Sequence, residues 1–358
     1  MYKYFKCDTA MYLVDDALKE AGEIIVKEGF KRVFIISGSL LKRDNNKEKL
    51  EESLNSQGIT YDFASGVKPN PDIEFIEELL PRIREFKPDL ILAIGGGSII
   101  DTCKNIIHTY NYDGDPLDFN KGKNTGDDIL PLGVILTLSA SGSEMSNSCV
   151  ISSRKEGVKL GRGTQSNYPT FSIYDPKLTY SVSPYQTACG LVDIISHSFE
   201  RYFNPSSEYE LCDLLALAVI RDIVDISPVV LKDPTNYDAR KSMMLASSMS
   251  HNKVTSYMKD YVMRCHKVEH QMSAQIDTLT HGLGLRFLLN EYLKQNEELF
   301  KEKILKFGHF VFDLNTKDPK VVEDKFEEYL SSLGLANDME EVGFTKEEKE
   351  AYIAQLKL

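Results

Sequence analysis

Over the first half of the chain, short apolar runs alternate with longer segments of helical period. Residues 11 to 29 predict an amphipathic helix. Val33-Phe34-Ile35-Ile36 is a short apolar run that ends at Ser37-Gly38-Ser39. A polar helix over 40 to 56, a strand near 60 to 63 and a loop over 66 to 71 follow, then a helix over about 72 to 86. Residues 89 to 94 read as a buried strand running into Gly95-Gly96-Gly97-Ser98, with a helix over about 99 to 110 behind it. Residues 133 to 138 form another strand, running into Ser139-Ala140-Ser141-Gly142-Ser143. Strands alternating with helices predict a parallel sheet covered on both faces. Past about residue 180 the strand signal stops. Residues 211 to 231, 237 to 251, 257 to 274 and 283 to 293 carry helical period, and the last sixty residues read as charged amphipathic helices. The expected organisation is an α/β nucleotide-binding domain over 1–180 and an all-α metal-binding domain over 181–358, with the active site in the cleft between them.

A length of 358 residues exceeds most single cores and agrees with two domains. Acidic residues outnumber basic ones, 54 to 42, and the net charge of −12 argues against nucleic acid as a partner. No apolar run reaches the roughly 18 residues of a membrane span, and the N-terminus has no signal-peptide core, so the cytoplasm is the expected location. The six cysteines show no paired spacing and are expected to be reduced and mostly buried.

Ligands of open parallel sheets bind at the carboxyl ends of the strands. Three such ends are rich in glycine or hydroxyls: Ser37-Gly38-Ser39, Gly95-Gly96-Gly97-Ser98 and Thr137-Leu138-Ser139. Glycines let a phosphate approach the main chain, and the first N–H groups of the next helix attract the anion. Ser98 is expected to cap that helix and to donate to the phosphate. The alternative is a tight turn with no ligand. Ser39 stands where an NAD site usually offers an acidic residue to the ribose, and Lys42 and Arg43 follow it. Neutral and basic groups suit a 2′-phosphate, which favours NADP(H) over NAD(H); the alternative is that the two cations are simply solvated.

Asp193 and His197 are spaced i,i+4, which sets a carboxylate and an imidazole on one helical face. His266, His270 and His281 follow in Cys265-His266-Lys267-Val268-Glu269-His270 and Thr280-His281-Gly282. One hard oxygen and three imidazoles suit Fe(II) or Zn(II). A Cys265 thiolate is disfavoured, because adjacent helical residues point about 100° apart.

On these residues the chain resembles the iron-containing (group III) alcohol dehydrogenases, near their butanol dehydrogenase and aldehyde reductase branch. The resemblance runs from about residue 10 to 290. It is carried by Pro69-Asn70-Pro71, the run from Gly95 to Lys104, the run from Thr137 to Glu144, Asp175-Pro176, Gly190-Leu191-Val192-Asp193, His266 to His270, and His281-Gly282. It implies a dehydroquinate synthase-like fold and a likeness in ligands: metal held by Asp193, His197, His266 and His281. It implies cofactor contacts from Ser37, Gly38, Ser39, Asn70, Gly95, Gly96, Gly97, Ser98, Asp101, Thr137, Leu138, Ser141, Lys159 and Val182, with Lys159 near the nicotinamide ribose. A homodimer is expected, formed through a strand around residues 2 to 7. The chain departs from the family in placing His281 fifteen residues after His266 rather than fourteen, in having Val262-Met263 where the family tends to carry Asp-Trp, and in lacking glycines between Ser250 and Tyr257.

The expected reaction is hydride transfer between NADP(H) and a small primary alcohol or aldehyde of the butanol and butyraldehyde kind, with the ion polarising the carbonyl. His270 is the candidate catalytic residue, as a proton relay; the other reading makes it the group that orients His266. Two alternatives stay open: a metal-dependent sugar-acid lyase of the dehydroquinate synthase type, which would want a basic cluster near the metal, and a polyol dehydrogenase of the glycerol type.

Overall fold

The computed structural model describes all residues except 1–4, 69, 206–209 and 258. Pro69 of the Pro69-Asn70-Pro71 run, and most of the expected dimerising strand, lie outside them; Phe5, Lys6 and Cys7 are not in a strand. The chain divides into two compact units, one holding Lys6–Ser139 and Ser143–Thr179, the other Ala140–Gly142 and Tyr180–Leu358 together with Phe5.

The first unit contains β1 (Ala10–Leu13), α1 (Ala17–Lys27), β2 (Arg32–Ser37), α2 (Asn46–Ser56), β3 (Thr60–Ser65), α3 (Ile73–Phe86), β4 (Leu90–Gly95), α4 (Gly97–Thr109), α5 (Leu117–Asn120), β5 (Leu132–Leu136), β6 (Ser148–Ser153), β7 (Val158–Gly163) and β8 (Phe171–Tyr174). Six strands form a parallel sheet in the order β1-β8-β5-β4-β2-β3. The central strands β4 and β5 are apolar on both faces and buried, as a sheet covered on two sides requires. The single helix expected over 11–29 is a strand followed by a helix. Met11, Tyr12 and Leu13 pair with β8, and the Asp16 side chain then accepts from Lys19 N to start α1. The helix expected over 40–56 is likewise broken. Asp44 and Asn45 take positive φ after a short 3₁₀ turn at Ser39–Lys42, and α2 begins only at Asn46. The antiparallel β6–β7 hairpin was not anticipated.

The second unit contains α6 (Pro184–Tyr202), α7 (Glu210–Lys232), α8 (Tyr237–His251), α9 (Arg264–Gln275), α10 (His281–Gln295), α11 (Glu297–Phe312), α12 (Pro319–Ser332) and α13 (Lys346–Ala354). The helix expected over 257–274 starts only at Arg264; the described residues of 257–263 are not helical. α6 is the central rod. Ser183 caps it and Pro184 occupies its first turn. Leu191, Val192, Ile194, Ile195 and Phe199 are fully buried in the helical core, where Phe199 stacks on Phe326. No described helix is long and apolar enough to cross a membrane. All six cysteines are free thiols, five of them buried.

Candidate metal centre and nucleotide-binding strand ends

The i,i+4 ladder of α6 sets Tyr185, Cys189, Asp193, His197 and Arg201 along one face. Asp193 is the hub. Its Oδ1 lies 3.6 Å from His197 Nδ1, 3.9 Å from His266 Nε2 and 3.7 Å from His281 Nε2. Tetrahedral donors about 2.1 Å from one ion stand about 3.4 Å apart, so this spacing suits a single divalent cation. Asp193, His266 and His281 each offer an atom within 4.8 Å of the others. His197 flanks this group, its ring centroid 4.6 Å from that of His266. His197 Nδ1 and His266 Nε2 are buried and have no hydrogen-bond partner. A buried ring nitrogen without a partner is costly unless a ligand takes its lone pair. The chemistry of the set therefore fits a metal. Burial first, and then the neighbours His251, His266, Arg201 and His281, push the His197 imidazole well below its usual range and keep it neutral, the form that ligates.

Two glutamates orient two of the candidate ligands. His266 Nδ1 donates to Glu200 Oε2, and Glu200 Oε1 also accepts from Cys265 N at 2.5 Å. His281 Nδ1 donates to Glu269 Oε2. Each pairing fixes the imidazole proton on Nδ1 and turns Nε2 toward Asp193. The sequence contained a signal for Glu200: residues 193, 197 and 200 follow i, i+4, i+7 on one helical face. Glu200 corrects one reading of His270, which does not orient His266. His270 is half-buried one turn further along α9, its ring centroid 5.7 Å from that of His281. Cys265 is not among the described residues whose donor atoms cluster there, and burial, with Glu200 beside it, pushes its thiol well up.

Gly282 and Gly284 explain how α10 reaches the site. A Cβ on Gly282 would stand 2.1 Å from Cys189 O, so only glycine lets the start of α10 lie against α6. A Cβ on Gly284 would stand 2.7 Å from Glu269 Cγ, in the space the glutamate needs to reach His281. Between His266 and His281 the chain leaves the helix at 276–280, the stretch between α9 and α10.

In the sheet unit, β2, β4 and β5 are neighbours, so their three polar ends come together. Gly38 N donates to Ile94 O at 3.1 Å and Thr137 N to Gly95 O at 3.1 Å. The triple glycine needs space rather than unusual torsions, since none of its members has positive φ. A Cβ on Gly95 would stand 2.3 Å from Ile99 Cδ1, and one on Gly96 would stand 3.1 Å from Leu138 Cβ. The expected cap is corrected: Gly96 is the N-cap of α4 and no side chain caps it, because Ser98 already lies inside the first turn. The first N–H groups of α4 are left uncapped by any side chain, as an anion site requires. Asp101 is committed within its own unit, accepting from Ser143 Oγ at 2.6 Å and Val150 N at 2.9 Å. Lys159 Nζ donates to Asn70 Oδ1 at 3.3 Å, which joins two expected cofactor residues, Asn70 in the left-handed region. Ser39 is exposed, as are Lys42 and Arg43. Ser141 and Val182 belong to the helical unit, where Gly142 N donates to Ser247 Oγ beside Ser141 and Val182 precedes the cap of α6.

Comparison with known proteins decides the family. The description "Iron-containing alcohol dehydrogenase" matches residues 9–176, and that of the C-terminal domain of the Fe-containing alcohol dehydrogenases matches 187–358. The chain belongs to the iron-containing alcohol dehydrogenase family. It is 34% identical to NADH-dependent butanol dehydrogenase A of Clostridium acetobutylicum over 98% of its own length and 92% of that protein. It is 29% identical to the NADPH-dependent aldehyde reductase YqhD of Escherichia coli over 70% of its length and 65% of that protein. Its fold matches the crystal structure of NADH-dependent butanol dehydrogenase A of Thermotoga maritima with a TM-score of 0.92 and 26% identity, covering 99% of this chain and 90% of that one. This iron-containing alcohol dehydrogenase therefore has the dehydroquinate synthase-like fold of its relatives, and its chemistry is alcohol and aldehyde oxidoreduction.

Proposed function

We propose that this chain moves hydride between a nicotinamide dinucleotide and a short primary alcohol or aldehyde, with one divalent ion, Fe(II) or Zn(II), held by Asp193, His197, His266 and His281. The observation that carries the reading is the meeting of one carboxylate oxygen and three imidazoles around Asp193 Oδ1 at 3.6–3.9 Å. When bound, the ion supplies Lewis acidity to the substrate oxygen and the nicotinamide supplies the hydride. The chain's own residues do the rest. Glu200 and Glu269 hold His266 and His281 in the ligating tautomer. His270, half-buried beside His281, carries the proton that the substrate oxygen gains or gives up. The main chain of Gly95, Gly96, Gly97 and Ser98 takes the pyrophosphate, supported by Ser37, Gly38, Ser39, Thr137, Leu138 and the Lys159–Asn70 pair.

For cofactor choice the considerations diverge. Exposed Ser39, Lys42 and Arg43 suit a 2′-phosphate, whereas the Clostridium relative at 34% identity is named NADH-dependent. The proposal is therefore a nicotinamide cofactor, with NADPH and NADH compared directly. The protein, loaded anaerobically with Fe(II) or Zn(II), is assayed with butyraldehyde and each cofactor. Metal-dependent loss of reduced cofactor, together with loss of both metal and turnover in His266→Ala, is the expected result. Full turnover in the metal-stripped protein would overturn it.

A further inference from the structure

The run from Gly95 to Lys104 ends on a residue that the proposed reaction does not use. Lys104 lies in the middle of α4 and is wholly buried. Its Nζ donates to Ser143 O at 2.8 Å, Ser143 Oγ at 2.8 Å, Ser146 O at 2.9 Å and Ser148 O at 2.7 Å. An ammonium has only N–H donors, and here acceptors surround it. All of these oxygens belong to the segment that leads into β6 and to its first residue. The Ser143 hydroxyl in turn donates to Asp101 Oδ1 at 2.6 Å, and Asp101 Oδ2 accepts from Val150 N at 2.9 Å. Lys104 and Asp101, one turn apart on α4, are thus joined through Ser143. A buried ammonium is tolerated only where hydrogen bonds and a counter-charge satisfy it, and an apolar side chain would hold a loop at lower cost. What the polar arrangement adds is a fixed position for main-chain atoms.

Those atoms lie on one edge of β6. β6 and β7 form a two-stranded sheet of their own, and such a hairpin is marginal unless its surroundings hold it. Ser148, Val150 and Ser152 alternate along β6, so their main-chain groups face the same side of the strand. Each is taken there: Ser148 O by Lys104, Val150 N by Asp101, and Ser152 N by Pro71 O at 2.9 Å. Ser152 is also the register partner of Lys159 on β7. Its bond to Pro71 fixes the loop beside Asn70, and Asn70 Oδ1 accepts from Lys159 Nζ at 3.3 Å. A short line of bonds therefore runs from the charges of α4 to the Lys159–Asn70 pair.

We propose that Lys104, with Asp101 as its counter-charge, is a positioning residue for the cofactor: it fixes β6 on α4 and so sets where Lys159 and Asn70 stand relative to the glycine turn that opens the same helix. One helix then registers both the pyrophosphate and the ribose beyond it. The proposal rests on the reading of the glycine turn and the Lys159–Asn70 pair as the nucleotide site.

The test measures Kd for NADH or NADPH, whichever the wild type holds more tightly, and for ADP, which has the pyrophosphate and no nicotinamide ribose. The proteins are the wild type, Lys104→Met, Lys159→Ala and the double variant. Each single variant is expected to raise the dinucleotide Kd by about three- to tenfold, the worth of one hydrogen bond. The Kd for ADP is expected to stay within about twofold, because the glycine turn is intact. The double variant is expected to match the weaker single variant within about twofold, since both changes remove one contact. In the metal-loaded enzyme with butyraldehyde, Lys104→Met raises the cofactor KM and leaves kcat nearly unchanged. A lysine that only stabilised the fold would lower kcat by the unfolded fraction and leave KM alone. An unchanged dinucleotide Kd in Lys104→Met, an equal loss of ADP, or effects that multiply in the double variant overturn the proposal and leave the nucleotide site standing. Should Lys104→Met fail to fold, Ser143→Ala removes only the hydroxyl that links Lys104 to Asp101. It is expected to weaken the dinucleotide and not ADP, and an unchanged dinucleotide Kd there overturns the proposal. Wild-type affinity in Lys159→Ala, or no nucleotide binding by the wild type, sinks the reading of the site and the proposal with it.

Discussion

In the sheet unit the candidate site is made of main chain: three strand ends, a helix start without a side-chain cap, and glycines whose absent Cβ atoms leave room for Ile99 and Leu138. In the helical unit it is made of side chains. Asp193, His197, His266 and His281 come from three helices and are oriented by two glutamates. A main-chain site is set by the fold itself and tolerates changes of neighbouring side chains. A side-chain site depends on rotamers and tautomers, so each supporting contact should matter on its own.

The largest expected effect follows from that dependence. Glu200→Gln keeps the shape of the side chain but has one acceptor oxygen where Glu200 meets three donors, His266 Nδ1–H and the main-chain N–H groups of Cys265 and His266. Its amide N–H₂ would face one of them, and the imidazole relieves the clash by moving its proton to Nε2, which blocks the ligating lone pair. On the proposed ligation, metal affinity falls about 10- to 100-fold. Competition with a chelator measures it, and unchanged affinity would remove Glu200 from the site.

A second contrast lies between two buried histidines. His108 of the sheet unit stacks on Phe119 and pairs through Nε2 with Asn167 Oδ1 at 2.8 Å. Burial pushes it down to about 4 from 6.5. The sign follows from proton counting. Between these values the unfolded chain binds more protons than the folded one, so the stability present above pH 6.5 is lost as pH falls toward 4. The loss is about 3 kcal/mol at full effect. His197 of the helical unit is depressed as well, but a bound metal would hold it neutral. Urea unfolding of the wild type and His108→Gln should show a stability difference that shrinks from pH 7 to pH 4.5. A constant difference would mean that the proton is not excluded at His108.

The two units also differ in how far sequence alone reached. Strands such as 33–36 and 89–94, and the turn after Gly95, could be read locally, because apolar runs and glycines record the main-chain path. The four metal candidates were found through type and spacing. Arg201 and His251 were not, since residues 50 apart meet only when α6 and α8 pack together. The early break at Leu13 was missed because Met11, Tyr12 and Leu13 fit a helical period as readily as a strand, and only pairing with β8 decides between them.

The smallest expected effect separates two roles of one hydroxyl. If Ser98 capped α4, its loss would cost about 1 kcal/mol of stability. Instead Gly96 is the cap residue, and the contact at Ser98 that matters to the helix is its carbonyl, which accepts from Thr102 Oγ1 at 2.9 Å and survives substitution. Ser98→Ala should therefore change unfolding free energy by less than about 0.5 kcal/mol. As a phosphate donor the same hydroxyl contributes about 0.5–1.5 kcal/mol to cofactor binding. The expected pattern is an unchanged urea midpoint with an NADH or NADPH Kd raised by about two- to tenfold. A lowered midpoint with unchanged Kd would restore the capping role and leave the pyrophosphate to main-chain N–H groups alone.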